Sequence, residues 1–170
     1  LTKADIIKNY LYQKMKEAVN NDPSMVDQIL KHHDKYWLQT FYDSDEKRQF
    51  WEKQKPLGRV QTNNLEAFLK DFAIVKGFYS AYNSGGLSGL AKAYKAEINQ
   101  KNYSELISFS KELSEYADCY YTYNSEYAKM DDFKISDVTN TTLLILDVLE
   151  TTTFNPYILK VIKENPDDLN

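Results

Sequence analysis

The chain has 170 residues, of which 42% are hydrophobic and 27% charged, the size and balance of one globular domain, so neither disorder nor membrane residence is favoured. No apolar run is longer than four residues, as in Leu143 to Leu146, far short of the roughly 20 that span a bilayer. A net charge of −4 argues against a surface that binds polyanions everywhere, and the lone cysteine, Cys119, excludes an internal disulfide and suits a reducing, cytoplasmic setting.

Glycine and proline number only 5 and 4 and mostly fall where helices would start or stop, which predicts an all-α fold, a bundle of about seven or eight helices. Thr2 is placed to cap the first helix by accepting from the Asp5 amide, with Asp5 adding negative charge where unpaired amides gather. Ile7, Tyr10, Leu11, Met15 and Ala18 recur near helical spacing up to a stop at Asn20 and Asn21. Asp22-Pro23 reads as a cap and first turn. In the second helix Met25, Ile29, His32 and Tyr36 form one stripe, and Val26, Leu30, His33 and Trp37 another beside it, so a broad buried face is expected. Ser44 caps a short third helix with Phe50 and Trp51, and the segment Pro56 to Thr62 reads as a loop.

Asn63 or Asn64 caps a fourth helix whose Leu65, Phe68, Leu69, Phe72 and Val75 share a side. Asn83 to Gly86 reads as a hinge. Leu87, Leu90, Tyr94 and Ile98 mark the fifth helix. Ser104 is the expected cap of the sixth, where Leu106, Phe109, Leu113, Tyr116, Tyr120, Tyr123 and Tyr127 alternate three and four apart on one seam. Ser125 to Lys134 is a polar connection, unless Tyr127 extends the helix before it. Ile135 to Leu149 is ambiguous: its Thr and β-branched content favours a strand, while its length and the spacing of Val138, Leu144, Ile145, Val148 and Leu149 favour a buried helix, which is the expectation adopted. Asn155-Pro156 repeats the cap and first-turn logic for a last helix with Tyr157, Ile158, Val161 and Ile162. Residues 164–170 are expected to fray. The whole, 1–170, is read as a single helical domain.

Few residues offer chemistry. His32 and His33 are adjacent, so on a helix they diverge by roughly 100° and cannot close on one ion alone. Cys119 has no basic residue within a turn to activate it, which favours an inert thiol. Gly85, Gly86 and Gly89 lack the strand and the Lys-Ser or Lys-Thr of a phosphate loop. The tyrosine seam could stack bases, but it continues from Leu106, Phe109 and Leu113, so core packing is preferred. Lys47, Arg48, Lys53, Lys55 and Arg59, opposed only by Glu52, carry a local charge of +4 and are the candidate contacts to DNA phosphates; a solvated face is the plainer reading. No catalytic, cofactor-binding or metal residue is assigned.

The opening stretch LTKADIIKNYLYQK resembles the segment that closes the amino-terminal nuclease domain of GmrSD-type, modification-dependent restriction proteins, an L-S/T-x-A-D-L/I-I-K/R-N-Y-L pattern met by Leu1, Thr2, Ala4, Asp5, Ile6, Ile7, Lys8, Asn9, Tyr10 and Leu11. Tyr36-Trp37, Phe50-Trp51, Gly58-Arg59 and Phe68-Leu69 follow in the family's order. Tyr116 to Tyr123 and Phe154, Pro156, Ile158 and Leu159 look like its later segments. The resemblance implies a fragment excised from a larger DNA-defence protein, beginning at a cut end. The family's Asp-Gly-Gln-Gln-Arg motif, tied to nucleotide use, and its His-Asn-His nuclease motif are both missing here, so no activity and no cofactor are expected of this fragment. It implies a helical connector between flanking nuclease domains, in contact with DNA or a second subunit; the rival is a free-standing module whose apolar groove takes a partner helix.

Overall fold

The computed structural model describes residues 2–57, 60–80, 86–127, 138–149 and 151–165. Helix α1 (Lys3–Ala18) opens with a reciprocal cap: Thr2 Oγ1 accepts from the Asp5 amide at 3.1 Å, and the Thr2 amide donates to Asp5 Oδ2 at 3.1 Å. Ala4, Ile7, Leu11 and Met15 form its buried stripe. It stops where expected, with Asn20 and Asn21 at φ 54° and 56°, a left-handed conformation that asparagine tolerates better than most residues.

Asp22 caps a 3₁₀ turn (Pro23–Met25), not the α-helix itself. Helix α2 (Val26–His33), a π-helical stretch (Asp34–Leu38) and α3 (Gln39–Tyr42) then run on as one rod. The wide π turn absorbs about one extra residue, which shifts the helical phase by roughly 100°. Trp37 therefore takes the phase that Tyr36 would have had after Ile29. The two-stripe expectation fails on this account: Ile29, Trp37 and Phe41 are buried, while Leu30 is exposed.

Ser44 caps α4 (Asp45–Glu52) through the Lys47 amide. The expected loop at 56–62 is instead an antiparallel hairpin, β1 (Gln54–Leu57) against β2 (Val60–Asn63), with Lys55 opposite Thr62 and Leu57 opposite Val60. A two-residue link suffices to close such a hairpin, and a two-stranded ribbon has free edges that tolerate Pro56.

Asn63 caps α5 (Asn64–Val75), the central element, buried nearly all round from Asn64 to Ala73. That is why its sequence shows no polar face. Gly77, at φ 78°, turns the chain away from α5. Of the expected hinge, Asn83, Ser84 and Gly85 lie outside the described residues; Gly86–Gly89 is a 3₁₀ turn into α6 (Leu90–Asn99). The cap of α7 (Tyr103–Tyr127) is Asn102 rather than Ser104: its Oδ1 accepts from the Glu105 amide at 3.0 Å and its own amide donates to Glu105 at 2.8 Å. The helix includes Tyr127, so the connection starts later than Ser125. Its other residues, 128–134, lie outside the described ones.

Helix α8 (Val138–Val148) is a helix, as chosen, but not a buried one: Ile145 is 41% and Val148 66% exposed. It packs on α7 with Leu143 turned inward. In α9 (Asn155–Glu164) Asn155 is the first helical residue and caps nothing with its side chain. Leu159 and Ile162 are buried. Glu164 is still helical, and 166–170 are outside the described residues.

With 26–42 counted once, the described residues hold eight helices and one hairpin, an all-α bundle. One core cluster runs from Ala4 to Leu159. The Trp51 indole stacks on Tyr120 with ring centres 5.6 Å apart and meets Phe41 edge-on at 5.0 Å, and Phe68 contacts both Tyr120 and Trp51. Phe72 meets Tyr116 at 5.4 Å. The tyrosine seam is thus core packing over Tyr116 and Tyr120, both buried. No helix among the described residues is long and apolar enough to cross a membrane.

Candidate functional site

Of the five candidate phosphate contacts, the four among the described residues do not form one free cationic surface. On α4, the Lys47 ammonium lies 4.0 Å from Asp43, donates to the Gln39 carbonyl at 3.3 Å and sits 6.0 Å over the Tyr121 ring. Arg48 is 3.8 Å from Asp45 and half exposed. Lys53, at the end of α4, is exposed and has no ion pair among the described residues. Lys55 projects from β1 to Asp147 of α8 at 3.6 Å and is largely covered. Arg59 lies outside the described residues. Helical spacing already places Asp43 and Asp45 beside Lys47 and Arg48; Asp147 becomes the counterion of Lys55 only through the tertiary fold.

The histidines diverge as expected. His33 meets Tyr12 edge-on at 5.6 Å, and His32 stacks on Tyr36 at 5.8 Å. Burial pushes both imidazoles below their ordinary range, aided by Lys8 at His33 and Lys35 at His32. Among the described residues no three His, Cys, Asp or Glu side chains gather as a metal site would require. The Cys119 thiol is half-buried, and burial raises its pKa despite Lys163 nearby, so it is a poor nucleophile.

The titratable group that sequence reasoning missed is Asp71. It lies on α5 at 1% exposure, with Lys70 Nζ 3.4 Å from Oδ1. Burial raises its pKa to about 6, with Lys70 and then Lys55 pulling the other way. Its neighbour Tyr94, wholly enclosed, donates to the Leu69 carbonyl at 2.8 Å. Lys70, Lys55 and Asp147 thus link the buried carboxylate to the surface of α8. The missing signal was positional: on a helix without a polar face, a carboxylate looks like any other.

Among the described residues, two enclosed spaces are small. The space between α7, α8 and α9, lined by Cys119, Tyr120, Tyr123 and Leu143, measures about 30 Å³, and one beside Tyr12 and Trp37 about 10 Å³. Neither has room for more than a water or two. An open groove of about 600 Å³ runs along α6 and α7, but Lys76, Lys101 and Lys111 on its walls are each matched by a glutamate.

The most distinctive surface is apolar. Ile145, Val148 and Leu149 on and just after α8, with Phe154 and Tyr157 at the start of α9, are 41–69% exposed. Their arrangement can bind another apolar surface; it supplies no group for bond-making. Comparison of the chain with family models, curated proteins and solved structures finds no match to any.

Proposed function

We propose that this chain is a cytoplasmic helical connector of a GmrSD-like, modification-dependent restriction protein, a non-catalytic scaffold that fixes the placement of flanking nuclease domains and touches DNA. The observation that carries this reading is the anchoring of its opening helix. The Lys3 amide donates to Glu66 Oε1 at 2.9 Å, and the Lys3 ammonium reaches Glu66 Oε2 at 3.3 Å, tying the start of α1 to the central helix. The Thr62 hydroxyl donates to the same carboxylate. A domain joined ahead of Thr2 would inherit the orientation of the bundle, which is what a connector requires.

The rival reading, a free-standing interaction module, draws on the exposed apolar face of α8 and α9. Within the described part of the basic stretch, DNA contact falls first to Lys53, since Lys47, Arg48 and Lys55 each face a carboxylate that phosphate would have to displace.

Fluorescence anisotropy with duplex DNA tests the contact. Binding should be weak, fall steeply with salt, and vanish when Lys47, Arg48, Lys53, Lys55 and Arg59 are reversed in charge. Equal retention by the reversed protein removes the DNA contact. Cleavage of plasmid by the chain alone, with nucleoside triphosphate and a divalent cation, removes the scaffold reading.

A further inference from the structure

We propose that the outer face of α8 and the start of α9 is a two-fold interface between two copies of this chain. Five of the seven large apolar side chains exposed among the described residues fall between positions 145 and 157; Leu30 and Leu38 lie elsewhere. Ile145, Val148 and Leu149 follow one another at helical neighbour spacing, so they make one strip. The other side of α8 is occupied: Leu143 faces Tyr120 and Tyr123 of α7 and Ile158, Leu159 and Ile162 of α9. Helix α8 is therefore apolar on two opposed faces, the pattern of a helix covered on both sides in its working assembly.

Charge and symmetry select the occupant. Asp147 is the sole charged residue of α8, and its counterion Lys55 stands 3.6 Å away in the same protomer. Covering the face therefore strands no lone charge, and the face offers nothing to a polyanion. A strip with apolar groups three apart is its own complement when two copies run antiparallel: Ile145 of each copy meets Val148 of the other, the isologous arrangement of a two-fold dimer.

Area supports the same choice. From ordinary side-chain areas and the observed exposures, the five residues present on the order of 400 Å² per protomer. That is about half of the ~800 Å² that each partner contributes to a standard interface, and a polar rim supplies the remainder. The proposal deepens the scaffold reading by naming one partner and its surface, but does not need the resemblance to restriction proteins.

Sedimentation velocity from roughly 1 to 300 µM, the range in which so small an interface operates, provides the test. The mass should climb from 19.9 kDa toward twice that value. Val148→Lys with Leu149→Lys should hold it at one copy, with helical circular dichroism unchanged, and with the melting temperature unchanged at concentrations where wild type is also a single copy, because both side chains are 66% exposed. Should the double variant lose helicity, Tyr157→Lys, at a site 69% exposed, carries the same expectation. A wild-type chain that stays at one copy overturns the proposal, as do growth past two copies and a folded lysine variant that associates like wild type. A monomer would leave the scaffold reading standing, whereas plasmid cleavage would remove that reading and leave the dimer.

Discussion

Asp71→Asn should stabilise this protein above neutral pH. The Asp71 carboxyl is 1% exposed on the central helix, and burial outweighs Lys70 and Lys55 to lift its pKa from 3.8 to about 6. A group that holds its proton more tightly when folded stabilises the fold fully below the unfolded pKa and loses that contribution as pH rises through the folded one. Here the loss runs from about pH 4 to about pH 6. The gap between the two values corresponds to roughly 3 kcal/mol. Asparagine has nearly the same shape without the charge, so at pH 8 the variant should exceed wild type by about that amount, which at this chain length raises the melting temperature by about 6–12 °C. Urea titrations of both proteins at intervals from pH 8 down to pH 3.5 read the effect directly. The difference between them should shrink across the window and vanish near its acid end, whatever the other carboxylates do to both. An Asp71→Asn protein equal to or weaker than wild type at pH 8 would refute the burial argument and show that Lys70 and Lys55 more than compensate the charge.

Glu66→Ala removes the acceptor of the Lys3 amide and of the Thr62 hydroxyl and should lower stability by about 1–3 kcal/mol in urea; hydrogen exchange should quicken in the first turn of α1 ahead of the rest, and uniform quickening would count against a local anchor. Trp51→Ala should cost about 3–5 kcal/mol, because the indole is wholly buried among Phe41, Phe68 and Tyr120. A loss below 1 kcal/mol by thermal melting would mean that the aromatic cluster is loosely packed.

Much of the helical plan is legible locally because caps act over three residues. Thr2 with Asp5 and Ser44 bond as their spacing predicts, Asn63 proves to be the cap of the two asparagines that the sequence offers, and the seam from Leu106 to Tyr120 packs inward. Asn102 went unseen since Ser104, a good cap by type, stands two residues on. The hairpin escaped notice because Pro56 and Gly58 carry strong loop signals, while strand pairing depends on a partner outside the local window. The π turn leaves no mark on composition, so the phase of 37–41 could not be read. For the candidate site, the basic stretch is plain in sequence, but the pairing of its Lys55 with Asp147 depends on the tertiary fold that brings the two together. Helix α8 shows the same boundary: apolar content identifies a helix and says nothing of which face is covered from within.

The wide turn at Asp34–Leu38 makes segment length, as much as residue type, a determinant of this fold. Removing one residue there would let the rod run as ordinary α-helix while Trp37 and Phe41 keep their present phase, because the wide turn already absorbs that residue. Removing one from an ordinary α-helical turn of the rod would instead rotate everything beyond by roughly 100° and carry the buried aromatic rings away from the core. Sequences that share this architecture should therefore tolerate a single deletion between His33 and Gln39 far better than one within α2.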